Sequence, residues 1–187
     1  MKRRQLLTTA AACSAWVLQP TFAQTATDIT TLLRKGGCAL VLRHAQTEPG
    51  FGDPPGYRLD QCSTQRNLSD AGREQARQIG QWFKARGLKP HSTQTSVWCR
   101  CKDTAELAFG RYTVWGALGS TFDNRSQQLS PTQELRTRLK NIPVGHFEVW
   151  VTHQVNITAL TNEVPAMGEA VLVSDQAQML GRTLFTN

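Results

Sequence analysis

The chain has 187 residues and a formal net charge of +7, and its length is typical of a single domain. The lysines and arginines are scattered along the sequence, without the dense basic stripe of a nucleic-acid-binding protein. The composition therefore argues against a nucleic-acid partner, whereas a modest positive charge suits a small anionic substrate.

Residues 1–23 have the layout of a secretory signal peptide, with a basic head, a short apolar stretch and a small residue, Ala23, at the end. The apolar stretch is too short and too rich in threonine for a stable membrane span. The basic head resembles a twin-arginine export signal, and lipidation of Cys13 is the weaker alternative. We expect a periplasmic or secreted protein with one mature domain, residues 24–187, of net charge about +4.

Four cysteines remain in the expected mature chain, at positions 38, 62, 99 and 101. An even number in an exported protein predicts one or two disulfides, and the sequence leaves three complete pairings open. The one-residue gap between Cys99 and Cys101 is shorter than the spacing of common zinc sites, which disfavours a metal centre.

The apolar run Cys38–Leu42 predicts a strand buried on both faces. Residues 48–66 are rich in proline and glycine and predict a long loop, a kind of segment that is more often functional than idle. Ser69 is the expected N-cap of a helix that ends at Gly87.

The later elements alternate between strand and helix. In chain order we predict a strand at Thr95–Trp98, a helix at Lys102–Phe109, a helix capped by Ser130, a strand at Phe147–Thr152, a helix at Val155–Leu160 and a last strand at Ala170–Val173. This alternation predicts an α/β fold, a three-layer α/β/α sandwich with a mostly parallel central sheet.

Basic and imidazole side chains follow three of the predicted strands. Arg43 and His44 follow the first, Arg100 the second and His153 the third. In open α/β sheets ligands bind beyond the carboxyl ends of the strands, so these groups can meet in one crevice. Guanidinium groups bind phosphate oxygens in pairs, and a neutral imidazole can attack phosphorus. The set predicts phosphoryl chemistry that needs neither a metal nor another cofactor.

Four segments resemble, in order, the motifs of the histidine phosphatase superfamily, the phosphoglycerate-mutase-like group with an Arg-His-Gly signature. They are "LRHAQTEPG", "NLSDAGREQARQIGQWF", "SVWCRCKDTAELAF" and "VWVTHQVNITAL". The resemblance covers nearly the whole expected mature domain and implies a phosphoglycerate-mutase-like fold. It implies His44 as the nucleophile, with Arg43, Arg100 and His153 as the phosphate pocket, and Thr47 as a substrate-side donor that orients the pocket.

Two positions depart from the family pattern. Ala45 stands where the signature has glycine, a small change, and Gln154 stands where one branch has its acidic leaving-group donor. The general acid is therefore open, with Asp123 and Glu169 as weak candidates. We also expect that Cys62 pairs with Cys99 or Cys101, which would tie the 48–66 loop to the segment that carries Arg100.

The sequence thus predicts an exported phosphatase acting on a small phosphomonoester, a sugar phosphate by analogy, through a phosphohistidine. The alternative is a non-catalytic phospho-ligand-binding member of the same fold. A thiol-redox or metal protein built on the cysteines ranks last, because it leaves Arg43 and His44 unexplained. The sequence does not predict the oligomeric state.

Overall fold

The computed structural model describes residues 28–185. The predicted signal peptide and Cys13 lie outside the described residues, so its expected cleavage and any lipidation stay predictions. Within residues 28–185 no helix is both long enough and apolar enough to cross a membrane.

Five α-helices and six strands make up the described domain. In chain order they are α1 (Ile29–Lys35), β1 (Cys38–Arg43), α2 (Asp70–Ala85), β2 (Ser92–Thr95), α3 (Cys99–Phe109), β3 (Thr113–Val114), α4 (Leu129–Leu139), β4 (Phe147–Thr152), α5 (Gln154–Thr161), β5 (Glu169–Ser174) and β6 (Met179–Leu184). Three short 3₁₀ turns, at 62–64, 116–118 and 125–127, lie in the connections.

The six strands form one mixed sheet in the order β3-β2-β4-β1-β5-β6. The first four are parallel, whereas β5 runs antiparallel to β1 and β6 antiparallel to β5. The predicted α/β class and three layers are correct. The prediction that Ala170–Val173 ends the sheet is wrong, because β6 follows it and pairs along the edge.

Alternate residues of β1 bury against different helix layers, as the pleat of a strand requires. Leu40 and Leu42 pack into a cluster with side chains of α1, α2 and α3, including Phe83. Ala39 and Val41 face the other cluster, which α4 and α5 complete. The continuous apolar run of the first strand is explained by this burial on both faces.

Helix α2 begins as predicted, since the Ser69 side chain accepts a hydrogen bond from the backbone N–H of Gly72. Gly80 allows α2 to approach α3 closely, because a Cβ at this position would lie 2.4 Å from the carbonyl oxygen of Ala108. Glycine here therefore serves helix packing rather than a turn.

Three predicted boundaries are wrong. The second strand is Ser92–Thr95 rather than Thr95–Trp98, because the threonines of "STQT" supply its buried face. Helix α3 begins at Cys99, earlier than predicted. Ser130 lies inside α4, whose N-cap position is Gln128 with no side-chain cap.

Candidate active site

The two predicted histidines are brought together by the pairing of β1 with β4. The register sets Arg43 opposite Thr152, so the next residues, His44 and His153, leave neighbouring parallel strands side by side. Their ring centroids are 5.5 Å apart, and the residues are 3% and 4% exposed. Two histidines far apart in sequence therefore lie side by side, almost excluded from solvent, at the carboxyl edge of the sheet.

Arg100 reaches the same position from the first turn of α3. Strand β2 ends at Thr95, and residues 96–98 turn the chain into the helix, which buries the Arg100 side chain beside His153. One terminal nitrogen of Arg100 lies 3.5 Å from Nδ1 of His153. The side chains predicted to converge therefore lie together, with Arg100 contributed by the start of a helix rather than by a strand end.

The hydrogen bond of His44 defines its tautomer. Nδ1 of His44 lies 2.9 Å from the carbonyl oxygen of Ala45, which can only accept, so Nδ1 carries the proton. Nε2 then keeps its lone pair. Burial, together with the positive charge of Arg100, lowers the pKa of His44 to about 3. The imidazole is therefore neutral, with an unprotonated Nε2, across the ordinary pH range.

His153 is held by a separate set of contacts. Its Nε2 lies 2.8 Å from the hydroxyl of Ser96, and its Nδ1 faces a guanidinium that can only donate. Nε2 accordingly carries the proton and donates it to Ser96. Burial and then Arg100 hold the pKa of His153 well below 6.5. A bound anion would offset the surrounding positive charge and favour the protonated form.

Two hydrogen bonds from one terminal nitrogen fix the Arg43 guanidinium. Its Nη1 donates to Oε1 of Gln154 at 2.7 Å and to the carbonyl oxygen of Pro165 at 2.8 Å. The residue that replaces the acidic donor of one family branch is therefore a positioning contact for the arginine. Burial, followed by the charges of Arg66 and Arg100, lowers the pKa of Arg43.

These groups line one open cavity of about 420 Å³. Its lining residues are Arg43, His44, Gly50, Phe51, Gly52, Asp53, Arg66, Arg100, Ser120, Phe122, Asp123, His153, Gln154, Val155 and Met167. The Nε atoms of three of them, Arg43, Arg66 and Arg100, are buried and have no hydrogen-bond partner in the protein. Three guanidiniums with unpaired donors around two neutral imidazoles make an environment suited to a tetrahedral oxyanion.

Arg66 is a pocket residue that the sequence analysis missed. It lies at the end of the 48–66 loop, and its Nη1 donates to the hydroxyl of Thr47 at 2.6 Å and to the carbonyl oxygen of Gly50. Thr47 itself is buried and is not among the cavity-lining residues. Its contacts to the cavity lining are made to Arg66 and to the sulfur of Met167, so its hydroxyl orients lining side chains rather than facing the cavity itself.

Asp53, from the same loop, was also missed. Its carboxylate accepts from Nη1 of Arg100 at 2.8 Å, from the backbone N–H of Arg66 at 3.0 Å and from the indole of Trp98 at 3.1 Å. Burial raises the pKa of Asp53, but these hydrogen bonds outweigh burial and hold the pKa below its usual value. Asp53 is thus an anion that fixes Arg100, not a proton donor.

A disulfide joins Cys62 to Cys99, with 5.7 Å between the Cα atoms. It is one of the two pairings expected for Cys62, and it links the loop to the residue just before Arg100. Gln65 reinforces the link, because its side-chain oxygen accepts from the backbone N–H of Cys99 at 3.0 Å. Cys38 and Cys101 are buried free thiols.

The other motif residues hold the backbone that follows His44. A Cβ at Gly72 would lie 1.8 Å from the carbonyl oxygen of Gln46, so only glycine allows this approach. The Gln75 side chain accepts from the N–H of Gln46, and Thr104 accepts from the N–H of Ala45. The Ala45 methyl packs in a small apolar cluster, which explains why alanine is accommodated here.

The two weak acid candidates lie in different places. Asp123 is an exposed residue at the rim of the cavity, and its carboxylate accepts from the hydroxyl of Tyr57 at 3.1 Å. Glu169 lies outside the cavity lining, and its carboxylate accepts from the Arg182 guanidinium and from the N–H of Ala166. The Glu169 side chain thus links β5 to Arg182 of β6. Asp123 is therefore the acid candidate near the site.

Among residues 28–185 no group of three or more histidine, cysteine, aspartate or glutamate side chains has a metal-binding arrangement.

Residues 39–115 match the family described as histidine phosphatase superfamily (branch 1). The fold is similar to that of the protein histidine phosphatase SixA complexed with tungstate, at a TM-score of 0.55 and 12% identity, over 79% of this chain and 97% of that chain. The family match spans a segment that contains Arg43, His44 and Arg100, and the likeness to the solved structure is one of fold.

Two further solved structures match over similar lengths. TTHB049 from Thermus thermophilus has a TM-score of 0.53 and 17% identity, over 78% of this chain and 98% of that chain. A candidate alpha-ribazole-5'-P phosphatase from Escherichia coli has a TM-score of 0.53 and 12% identity, over 80% of this chain and 96% of that chain. At these identities the likeness is one of fold. No match to the chain is found among curated proteins.

Proposed function

We propose that this protein is a histidine phosphatase superfamily member, an exported phosphatase that hydrolyses a phosphomonoester through a phosphohistidine on His44. One observation carries the proposal. The Nδ1 proton of His44 is engaged by the Ala45 carbonyl, which leaves a nucleophilic Nε2 beside a cavity lined by three arginines. The fold shared with a histidine phosphatase that binds tungstate, a tetrahedral oxyanion, supports the same reading.

The geometry suggests a two-step reaction. Nε2 of His44 attacks phosphorus, and a P–N bond forms while the bond from phosphorus to the leaving oxygen breaks. A water molecule then attacks phosphorus, the P–N bond breaks, and the electron pair returns to Nε2 as inorganic phosphate leaves. Arg43, Arg66 and Arg100 would bind the non-bridging oxygens in both steps, because their charge is permanent and their donors lie in a fork.

His153 would assist by donating from Nδ1 once the dianion is bound. The unliganded site keeps this imidazole neutral through burial and the nearby guanidiniums. Substrate brings two negative charges, which raise the pKa of a neighbouring imidazole. A protonated His153 would then stabilise the charge that develops on the equatorial oxygens.

Asp123 is the carboxylate that we assign as donor to the leaving oxygen. It is the acid candidate that lines the cavity, whereas Asp53 is held as an anion by Arg100. Proton donation contributes about 10²–10⁴-fold for poor leaving groups and little for good ones. The expected substrates are small phosphorylated molecules, a sugar phosphate among them, in a periplasmic or secreted setting.

Turnover of 4-nitrophenyl phosphate tests the function, because its good leaving group does not depend on the acid. We expect multiple turnovers by the purified protein and a loss of at least about 10³-fold in kcat for His44→Gln. His146→Gln is the matched control, since exposed His146 precedes β4 at the end opposite His153. A protein that binds phosphate but never turns over would instead be the non-catalytic binder.

A further inference from the structure

The cavity extends beyond the phosphoryl position. Its volume of about 420 Å³ lies within the range of about 300–1,000 Å³ typical of sites for whole small molecules. The arginines and histidines account for part of the lining. Phe51, Phe122, Val155 and Met167 contribute apolar side chains to the same cavity. Apolar side chains therefore line the same cavity as the charged groups.

Phe51 and Phe122 come from two different loops and meet edge to face, with centroids 5.2 Å apart and an interplanar angle of 76°. Phe51 is 87% exposed, so burial in the core does not explain its position. Exposed large apolar side chains at a cavity mouth mark ligand contacts. An edge-to-face pair also leaves ring surface available for a third flat group.

The backbone holds Phe51 at this point. Gly50 and Gly52 flank it with φ values of 137° and 70°, conformations that residues with side chains rarely adopt. The φ values place Phe51 on a tight turn, and a Cβ at Gly52 would lie 4.0 Å from the Phe122 ring. The turn therefore presents one phenylalanine against the other rather than leaving it on an unconstrained tip.

Asp123 lines the same cavity and, as the proposed donor, would release the leaving oxygen as a neutral alcohol or phenol. The two phenyl rings offer no partner to a further charged group on the leaving side of the substrate. Two other polar side chains of the lining are Ser120, which accepts from the N–H of Phe122, and Gln154, which accepts from Arg43. Hydroxyls placed against the two phenyl rings would lack partners, which costs free energy, so an apolar ring fits this surface better than a sugar.

We propose that the Phe51–Phe122 pair is a leaving-group subsite, which makes the preferred substrate a phosphomonoester of an uncharged alcohol or phenol bearing a flat aromatic ring. The proposal rests on the proposed function and narrows its substrate class. It differs from the sugar phosphate expected by analogy, and the two can be separated by a single pair of substrates.

Benzyl phosphate and glucose 6-phosphate form that pair, because each releases a primary alcohol and the leaving oxygens are chemically similar. We expect kcat/KM to favour benzyl phosphate by about tenfold or more, the size of effect that an aromatic contact with its buried area supplies. Phe51→Ser should lower this preference by about five- to tenfold, with the larger loss on benzyl phosphate.

Two further variants sharpen the test. Phe51→Trp keeps a flat ring at the mouth and should retain the preference, whereas Leu129→Ser changes an equally exposed apolar residue away from the cavity and should leave both rates unchanged. Equal kcat/KM for the two substrates, or a Phe51→Ser loss that is the same for both, would overturn the subsite alone. If the protein hydrolyses none of the three compounds, benzyl phosphate, glucose 6-phosphate and 4-nitrophenyl phosphate, the proposed function is overturned instead.

Discussion

Asp53 and Arg100 form an ion pair at 2.8 Å, and each side chain is only 5% exposed. The two residues are 47 positions apart in sequence. The disulfide between Cys62 and Cys99, the residue before Arg100, ties their segments together. The contact occupies Nη1 of Arg100 and leaves its Nε without a protein partner. The Asp53 carboxylate therefore sets the direction of a guanidinium and offsets one of three positive charges in the cavity.

Asp53→Asn should impair both stability and activity. Removing one partner of a buried pair costs about 3 kcal/mol of unfolding free energy, because the remaining charge is left without compensation. We expect kcat/KM to fall by about tenfold or more as Arg100 loses its orientation. Urea unfolding and steady-state kinetics measure the two effects. Asp60→Asn is the control, since it breaks an exposed pair with Arg58 in the same loop.

Asp123→Asn should separate leaving groups by their need for a proton. We expect kcat/KM for glycerol 3-phosphate to fall by about a hundredfold, while that for 4-nitrophenyl phosphate changes little. Glu169→Gln should leave the ratio of the two substrates unchanged, because Glu169 lies outside the cavity lining and binds Arg182. An equal loss on both substrates in Asp123→Asn would remove Asp123 as the donor.

Buried neutral histidines should make stability depend on pH. The pKa of His44 is lowered to about 3 in the folded protein, so the unfolded chain binds more protons as pH falls below about 6.5. Stability from this histidine is fully present above pH 6.5 and is lost towards pH 3. Between pH 7.5 and 5.5 the wild type should lose about 1 kcal/mol more unfolding free energy than His44→Gln. If the unfolding free energies of the wild type and His44→Gln change equally with pH across this range, His44 is not neutral and desolvated in the folded protein.

Reduction of the Cys62–Cys99 disulfide should weaken the site as well as the fold. The bond spans 37 positions, for which loop closure predicts about 4 kcal/mol of stability or less. We expect dithiothreitol to lower kcat/KM about tenfold, because the loop that carries Asp53 and Arg66 is released. The Cys62→Ser/Cys99→Ser double variant should already show this loss and should not respond further. Unchanged activity on reduction would show that the loop holds the site without the bond.

Much of the site could be predicted because its residues follow strongly patterned elements. The strand β1 ends at Arg43, just before His44, and β4 ends at Thr152, just before His153, so the buried strands indicated both positions. Parallel pairing then made their meeting a geometric consequence. Boundaries were harder to place where polar residues form buried strand faces, as Thr93 and Thr95 do in β2.

Asp53 and Arg66 could not be predicted as pocket residues, because a proline- and glycine-rich loop has no periodicity that fixes side-chain direction. The length of the loop and the presence of Cys62 were the available signals, and both pointed only to the loop as a whole. Strand β6 was missed for a related reason. Its residues are half-exposed to exposed along an edge, so pairing with β5 rather than an apolar pattern defines it.

Trapping the covalent intermediate tests the central claim most directly. The purified protein would be mixed with a phosphomonoester, quenched in alkali on the millisecond scale, digested and mapped by mass spectrometry. The account predicts phosphate on the His44 imidazole, formed and lost at rates that match turnover, and its absence in His44→Gln. Phosphate on another residue, or turnover without any phosphoenzyme, would contradict it.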